Sequence, residues 1–314
     1  MSALFTIVLP VFLVVGFGYL VSWRGWFSER DADGLMRFAQ NFAVPCLLFA
    51  SMARLDIESE FRLSLLLPFY IGAFSSFALG WSGARYLFRR PLPDCVAIGF
   101  VCLFSNTVLM GVPITERAYG PAALSGNWAI IVLHSPMLYT FGITTMEFTR
   151  ARGQDLSVGR VALRALSGVL RTPLVIGIAC GVVMNLSMRA GLVMPAGFWA
   201  AVDMLVRAAL PAALFGLGGI LYRYRPEGDL ATIAMCCVCA LILHPAITYG
   251  LGRMAGLDVA GMRSAVVTAS MAPGVNAYLF ANIYGSAKRV AASTVLVATA
   301  ASIFTIWMWL AILP

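Results

Sequence analysis

Apolar residues run through this chain in long stretches, and the charged positions fall almost entirely in the short gaps between them. A helix needs about 20 apolar residues to cross the hydrocarbon of a bilayer. Read on that criterion, the chain divides into ten predicted spans at 3–22, 36–53, 63–84, 95–114, 122–146, 172–188, 195–222, 230–251, 264–284 and 290–313. The connections are short except the fifth, Phe148 to Arg171, which carries Arg150, Arg152, Arg160, Arg164 and Arg171. The expected organisation is therefore all-α: a five-helix unit over 1–148, a basic linker over 149–171 and a second five-helix unit over 172–314.

Composition supports a bilayer environment. Of 314 residues, 61% are hydrophobic and only 11% charged, whereas a soluble globular chain carries about 25% charge to keep its surface wet. Water-soluble enzyme classes are excluded on that ground. Ten spans leave no room for a nucleotide-binding domain, and the chain has no GxxxxGK[ST] loop with which to couple ATP hydrolysis. The net charge of +8 is read as loops facing anionic lipid, not as a nucleic-acid surface. The seven cysteines, including Cys236, Cys237 and Cys239, lie mainly within apolar runs without CxxC pairing and are read as packing thiols. No metal or cofactor is expected. The first apolar run has span length and no basic leader, so it is read as a span and not as a cleavable signal.

The basic residues set an expected orientation. The odd-numbered connections hold fifteen of them, among them Arg225, and the even-numbered ones six. Positive loops stay in the cytoplasm, which places both termini outside a cytoplasmic membrane, taken to be bacterial. Arg207 is the remaining basic residue and falls inside span 7.

The two units also match each other. Asn41-Phe-Ala-Val-Pro45-Cys-Leu-Leu-Phe49 aligns with Arg207-Ala-Ala-Leu-Pro211-Ala-Ala-Leu-Phe215 at an offset of 166 residues. Ser105 and Tyr119-Gly120 align with Ser270 and Tyr284-Gly285 at 165, as Gly16 and Arg24 do with Gly181 and Arg189. Because five is odd, a second copy would enter the membrane from the opposite side. Inverted repeats of this kind characterise secondary transporters, with a binding site where Gly/Pro-interrupted spans of the two halves meet. Spans 4 and 9 have that composition: Phe104-Ser-Asn106-Thr-Val-Leu-Met-Gly111-Val-Pro113 and Ser270-Met-Ala-Pro273-Gly274-Val-Asn276. Proline leaves backbone polar groups open, which hydrocarbon tolerates only beside protein or a water-filled cavity. Ser105, Asn106, Pro113, Ser270, Pro273 and Asn276 are the resulting substrate-site candidates. Simple kinks and interhelical glue are the plainer alternative.

At these residues the chain resembles the auxin efflux carrier family, which includes plant PIN-formed carriers and bacterial relatives. The similarity rests on Ser105-Asn-Thr-Val-Leu-Met-Gly-Val-Pro-Ile114 with Tyr119-Gly120, on Asn41 to Phe49, and on Tyr278-Leu-Phe-Ala-Asn-Ile-Tyr284-Gly285. It implies a scaffold of spans 1, 2, 6 and 7, a transport part of spans 3–5 and 8–10, and spans 4 and 9 crossing at their prolines over a substrate carboxylate. Asn106 and Pro113 match the pattern. In the second half the pattern's proline falls near Ala277, four residues after Pro273. Bacterial relatives are described as transporters of malonate or other small organic acids.

Arg207 and its counterpart Asn41 complete the candidates. Arg207 is read either as a snorkelling side chain paired with Asp203 or as an attractor for anions. His134 and His244 stand beside Pro136 and Pro245 and are read as packing residues, with proton carriage the other reading. No carboxylate lies near a span centre, which favours facilitated or potential-driven transport over a proton relay. The function expected is secondary transport of a small organic anion such as malonate or an auxin-like acid by alternating access. The alternative is a sodium-coupled symporter of the bile-acid type. An enzyme is not expected, since HExxH and GxSxG are absent. The expected partners are the anion and membrane lipid, without nucleic acid, and a homodimer is compatible with the reading.

Overall fold

The computed structural model describes residues 4–56, 61–151, 158–224 and 229–314, so Arg152 and Arg225 of the charge count lie outside the described residues. These residues are overwhelmingly helical. Seven helices are long and apolar enough to cross a membrane: α1 (Thr6–Trp23), α2 (Glu29–Arg54), α3 (Leu63–Leu87), α6 (Pro121–Arg150), α9 (Ala196–Tyr222), α10 (Leu230–Met254) and α13 (Lys288–Ile312). Shorter apolar helices are α4 (Leu92–Leu103), α8 (Pro173–Arg189) and α11 (Val259–Ala269). Two more complete the set around the breaks, α5 (Val112–Tyr119) and α12 (Val275–Tyr284), and α7 (Val158–Leu170) lies in the linker.

Helix α7 was not expected, because its arginines mark a basic loop. Leu163, Leu166 and Leu170 nevertheless recur at spacings of three and four residues, the helical period.

Proline controls the local geometry of four helices. The π turns Leu4–Val8, Ala39–Ala43, Thr107–Gly111 and Cys239–Leu243 each end two residues before a proline, at Pro10, Pro45, Pro113 and Pro245. A proline ring strikes the carbonyl four residues back. In each case that carbonyl is the middle residue of the π turn, where the wider winding moves it aside.

Two pairs of helices approach with backbone in contact. Gly18 of α1 lies against the Phe215 backbone of α9, and Gly181 of α8 lies against the Phe49 carbonyl of α2; neither position has room for a Cβ. Helix α4, whose residues Cys95 to Leu103 are all buried, packs against α3, α6, α10, α12 and α13.

Candidate functional site

Helix α4 has 12 residues, about 18 Å of rise, and stops well short of a ~30 Å hydrocarbon core. After it the chain leaves the helix at Phe104, bridges at Ser105 and turns tightly at Asn106, where the Thr107 N–H donates to the Ser105 carbonyl at 2.9 Å, before winding again from Thr107. Helix α11 stops at Ala269, and α12 begins only at Val275. The two interruptions lie side by side and form an antiparallel bridge between Ser105 and Pro273. The Asn106 N–H donates to the Ala272 carbonyl at 2.9 Å, and the Gly274 N–H donates to the Phe104 carbonyl at 3.1 Å. Both bonds flank the bridged pair, so neither Ser105 nor Pro273 needs its own N–H there. That is the antiparallel position a proline can occupy without loss. Each break thereby satisfies backbone groups that an apolar interior would otherwise leave stranded.

A cavity of about 50 Å³ opens at this bridge. It is lined by Asn106, Thr107, Gly274, Val275 and Asn276 from the breaks, Gln40 from α2, and His134 and Ser135 from α6. The winding that starts at Thr107 and the helix that starts at Val275 both lack a side-chain cap. Their opening turns therefore bring main-chain N–H groups and the positive ends of helix dipoles to the cavity. Asn106 is 8% exposed. The Asn276 carbonyl accepts a 3.2 Å bond from the Tyr139 hydroxyl.

Two histidines clasp Ser105. His134 Nε2–H donates to the Ser105 carbonyl at 3.1 Å. His244 Nε2–H donates to the Phe69 carbonyl at 3.2 Å, which leaves His244 Nδ1 to accept from the Ser105 hydroxyl at 3.3 Å. A carbonyl only accepts, so these partners assign the tautomers. Both rings were expected to be packing residues; the structure puts them at the crossing.

The other candidates disperse. Pro113 is buried in the first turn of α5 and does not line the cavity. The expectation that span 4 crosses at Pro113 is corrected: the π turn Thr107–Gly111 absorbs that proline, and the crossing is made by Ser105. Ser270 is buried with its hydroxyl on the Val267 carbonyl at 2.8 Å, which makes it an end for α11. Asn41 is exposed, and its neighbour Gln40 reaches the cavity instead. The i−4 partner expected for Arg207 is engaged elsewhere, since Asp203 pairs with Arg54 at 3.1 Å. Arg207 lines a second cavity of about 560 Å³ together with Arg54, Glu116, Ser125, Trp128 and Pro211. Along α2 and α6 the lining passes from one cavity to the other, so the two lie at successive levels of the same helices.

Interrupted helices that meet at a polar cavity within an apolar bundle are a pattern found in membrane proteins that move solutes. Residues 3–310 match the family described as membrane transport protein, and the chain belongs to that family, which includes the auxin efflux carriers. A Rhizobium meliloti (strain 1021) protein bearing the name "Putative malonate transporter" is 25% identical over 309 residues, covering 98% of this chain and 94% of that protein. The Escherichia coli (strain K12) "Uncharacterized transporter YfdV" is 22% identical over 96% of this chain and 95% of its own. Auxin efflux carrier component 3a of Oryza sativa subsp. japonica is 27% identical over 48% of this chain and 24% of the rice protein.

Proposed function

We propose that this protein is a secondary transporter of a small organic anion, a carboxylate such as malonate or an auxin-like acid, in a bacterial cytoplasmic membrane. The observation that carries this reading is the convergence of two uncapped helix starts, at Thr107 and Val275, with the amides of Asn106 and Asn276 on one cavity. Helix starts favour negative charge and amides donate to it, with no basic side chain required. Malonate is the first acid to try, because it is the one named for the Rhizobium relative.

In this reading ten crossings are made by the seven long helices, α8, and the two interrupted pairs α4–α5 and α11–α12. They form two inverted units of five. In each half a glycine of the first helix meets the matched phenylalanine of the other half's second helix, Gly18 with Phe215 and Gly181 with Phe49, two residues out of register with the Gly16/Gly181 match, and this likeness supports the duplication. Helices α1, α2, α8 and α9 act as the scaffold, and the remainder rocks against it to open the site to one side at a time. The orientation with both termini outside is supported by the distribution of basic residues, fifteen in the odd-numbered connections against six in the even-numbered ones. The larger cavity then faces outward, where Arg207 draws anions in.

Asn106→Ala tests the site. Uptake of radiolabelled malonate into proteoliposomes should be abolished while the protein still inserts and elutes as a single species. Unchanged uptake by the inserted variant sinks the assignment of Asn106.

A further inference from the structure

His134 is the buried side chain at the crossing that the transport reading leaves unused. Its Nε2–H is committed to the Ser105 carbonyl at 3.1 Å, so Nδ1 is the acceptor of the ring. The residue is 1% exposed, yet Nδ1 has no hydrogen-bond partner among the described residues. An orphaned buried acceptor is destabilising, and the same ring lines the cavity beside Asn106 and Asn276. Apolar rings hold it in place, Phe104 at 4.7 Å and Phe69 at 5.8 Å between centroids.

The neighbouring groups leave His134 alone in this state. His244, the other histidine, has both nitrogens engaged, with Phe69 and Ser105. The Tyr139 hydroxyl donates to the Asn276 carbonyl, and the Tyr70 hydroxyl donates to the Ile130 carbonyl at 2.7 Å. The remaining polar side chains of the lining, Gln40, Ser105, Asn106, Thr107, Ser135 and Asn276, do not titrate, and no carboxylate or arginine is among them. Arg207 belongs to the other cavity.

We infer that His134 Nδ1 takes up a proton when a carboxylate enters the cavity, so that anion and proton cross together. The inference rests on the organic-anion reading and names its coupling ion. The step is a single protonation: the Nδ1 lone pair binds a proton from water, Nε2–H stays on the Ser105 carbonyl, and the proton returns to water when the carboxylate leaves. Without it, the carboxylate is a buried charge held only by dipoles; with it, the charge is paired.

The test is calorimetric titration of the purified full chain with malonate at one pH in two buffers of different ionisation enthalpy. Wild type should take up about one proton per malonate bound. In proteoliposomes carrying a pH-sensitive dye, malonate entry should acidify the lumen. His134→Gln keeps an amide N–H for the Ser105 carbonyl and should bind malonate with no proton uptake. Malonate binding by wild type without a proton overturns the inference and leaves the transport reading intact, as does a variant that still takes up the proton. If His134→Gln does not fold, the wild-type proton count decides alone. No heat with malonate, acetate or indole-3-acetate overturns the organic-anion reading, and this inference with it.

Discussion

The two interruptions that meet at the crossing are built from different residues. The second holds Pro273 and Gly274, the usual helix breakers, whereas the first, Phe104-Ser105-Asn106, holds neither. Pro113, the proline nearest the first break, lies seven residues beyond Asn106 and inside a helix. The non-helical backbone at 104–106 is thus not dictated by its own residue types. Phe104 and Asn106 sit at ordinary negative φ, −93° and −78°, and what holds them there is the bonding offered by the partner strand. One break is made locally, and the other is induced by pairing with it.

That contrast can be broken most sharply at Asn106. Its φ of −78° already suits proline, so Asn106→Pro deletes the N–H that reaches Ala272, whereas Asn106→Ala keeps it. Losing the bond and orphaning a buried carbonyl should cost about 3 kcal/mol. Asn106→Pro should therefore melt well below Asn106→Ala in detergent-solubilised thermal unfolding; equal melting temperatures would show that the bridge does not hold the first break open. Pro273→Ala comes next. It adds an N–H at a position where the bridge has no acceptor for it, at roughly 1–3 kcal/mol, and malonate uptake should fall about tenfold. Pro113→Ala should change uptake by less than about twofold, because Pro113 does not line the cavity and the preceding π turn already accommodates its ring. A larger loss would return the crossing to Pro113.

The smallest effect concerns the entry to α11, the helix that delivers the second break. Asp258 caps it through the Gly261 N–H at 2.8 Å, and that bond, with Arg62 adding to it, holds the carboxyl below its ordinary value of 3.8. A lowered carboxyl stabilises the fold above the ordinary value and loses that contribution as pH falls through the folded value. Asp258→Ala should cost about 1 kcal/mol at neutral pH, and the gap from wild type should close below about pH 4. A gap that persists in acid would mean that the cap acts without its charge.

Much of the helix layout was legible because an apolar span is a long, uniform signal. The two sites of interruption were also legible, since Pro, Gly and Asn inside such a span stand out. Their register was not. Pro113 and Pro273 look alike in sequence, but one meets a preceding turn that widens and the other a partner strand that needs no N–H from it. Only the three-dimensional partner separates these outcomes. Gln40 was missed, and His134 was read first as a packing residue with proton carriage as the other reading, for a related reason: each is a single polar residue in an apolar helix, and the role of His134 depends on Ser105, 29 residues away in sequence. A polar residue next to a proline in a span, as in His134-Ser135-Pro136, was the available signal. Helix α7 was hidden because the arginines of the linker drew more weight than the helical spacing of its apolar residues.

The bridge at the crossing consists of main-chain atoms alone, Asn106 N to Ala272 O and Gly274 N to Phe104 O. Most substitutions leave such atoms in place. Side chains around it can therefore be exchanged to suit a different cargo while the joint between the two interruptions persists. A carrier joined in this way can change its solute without rebuilding that joint.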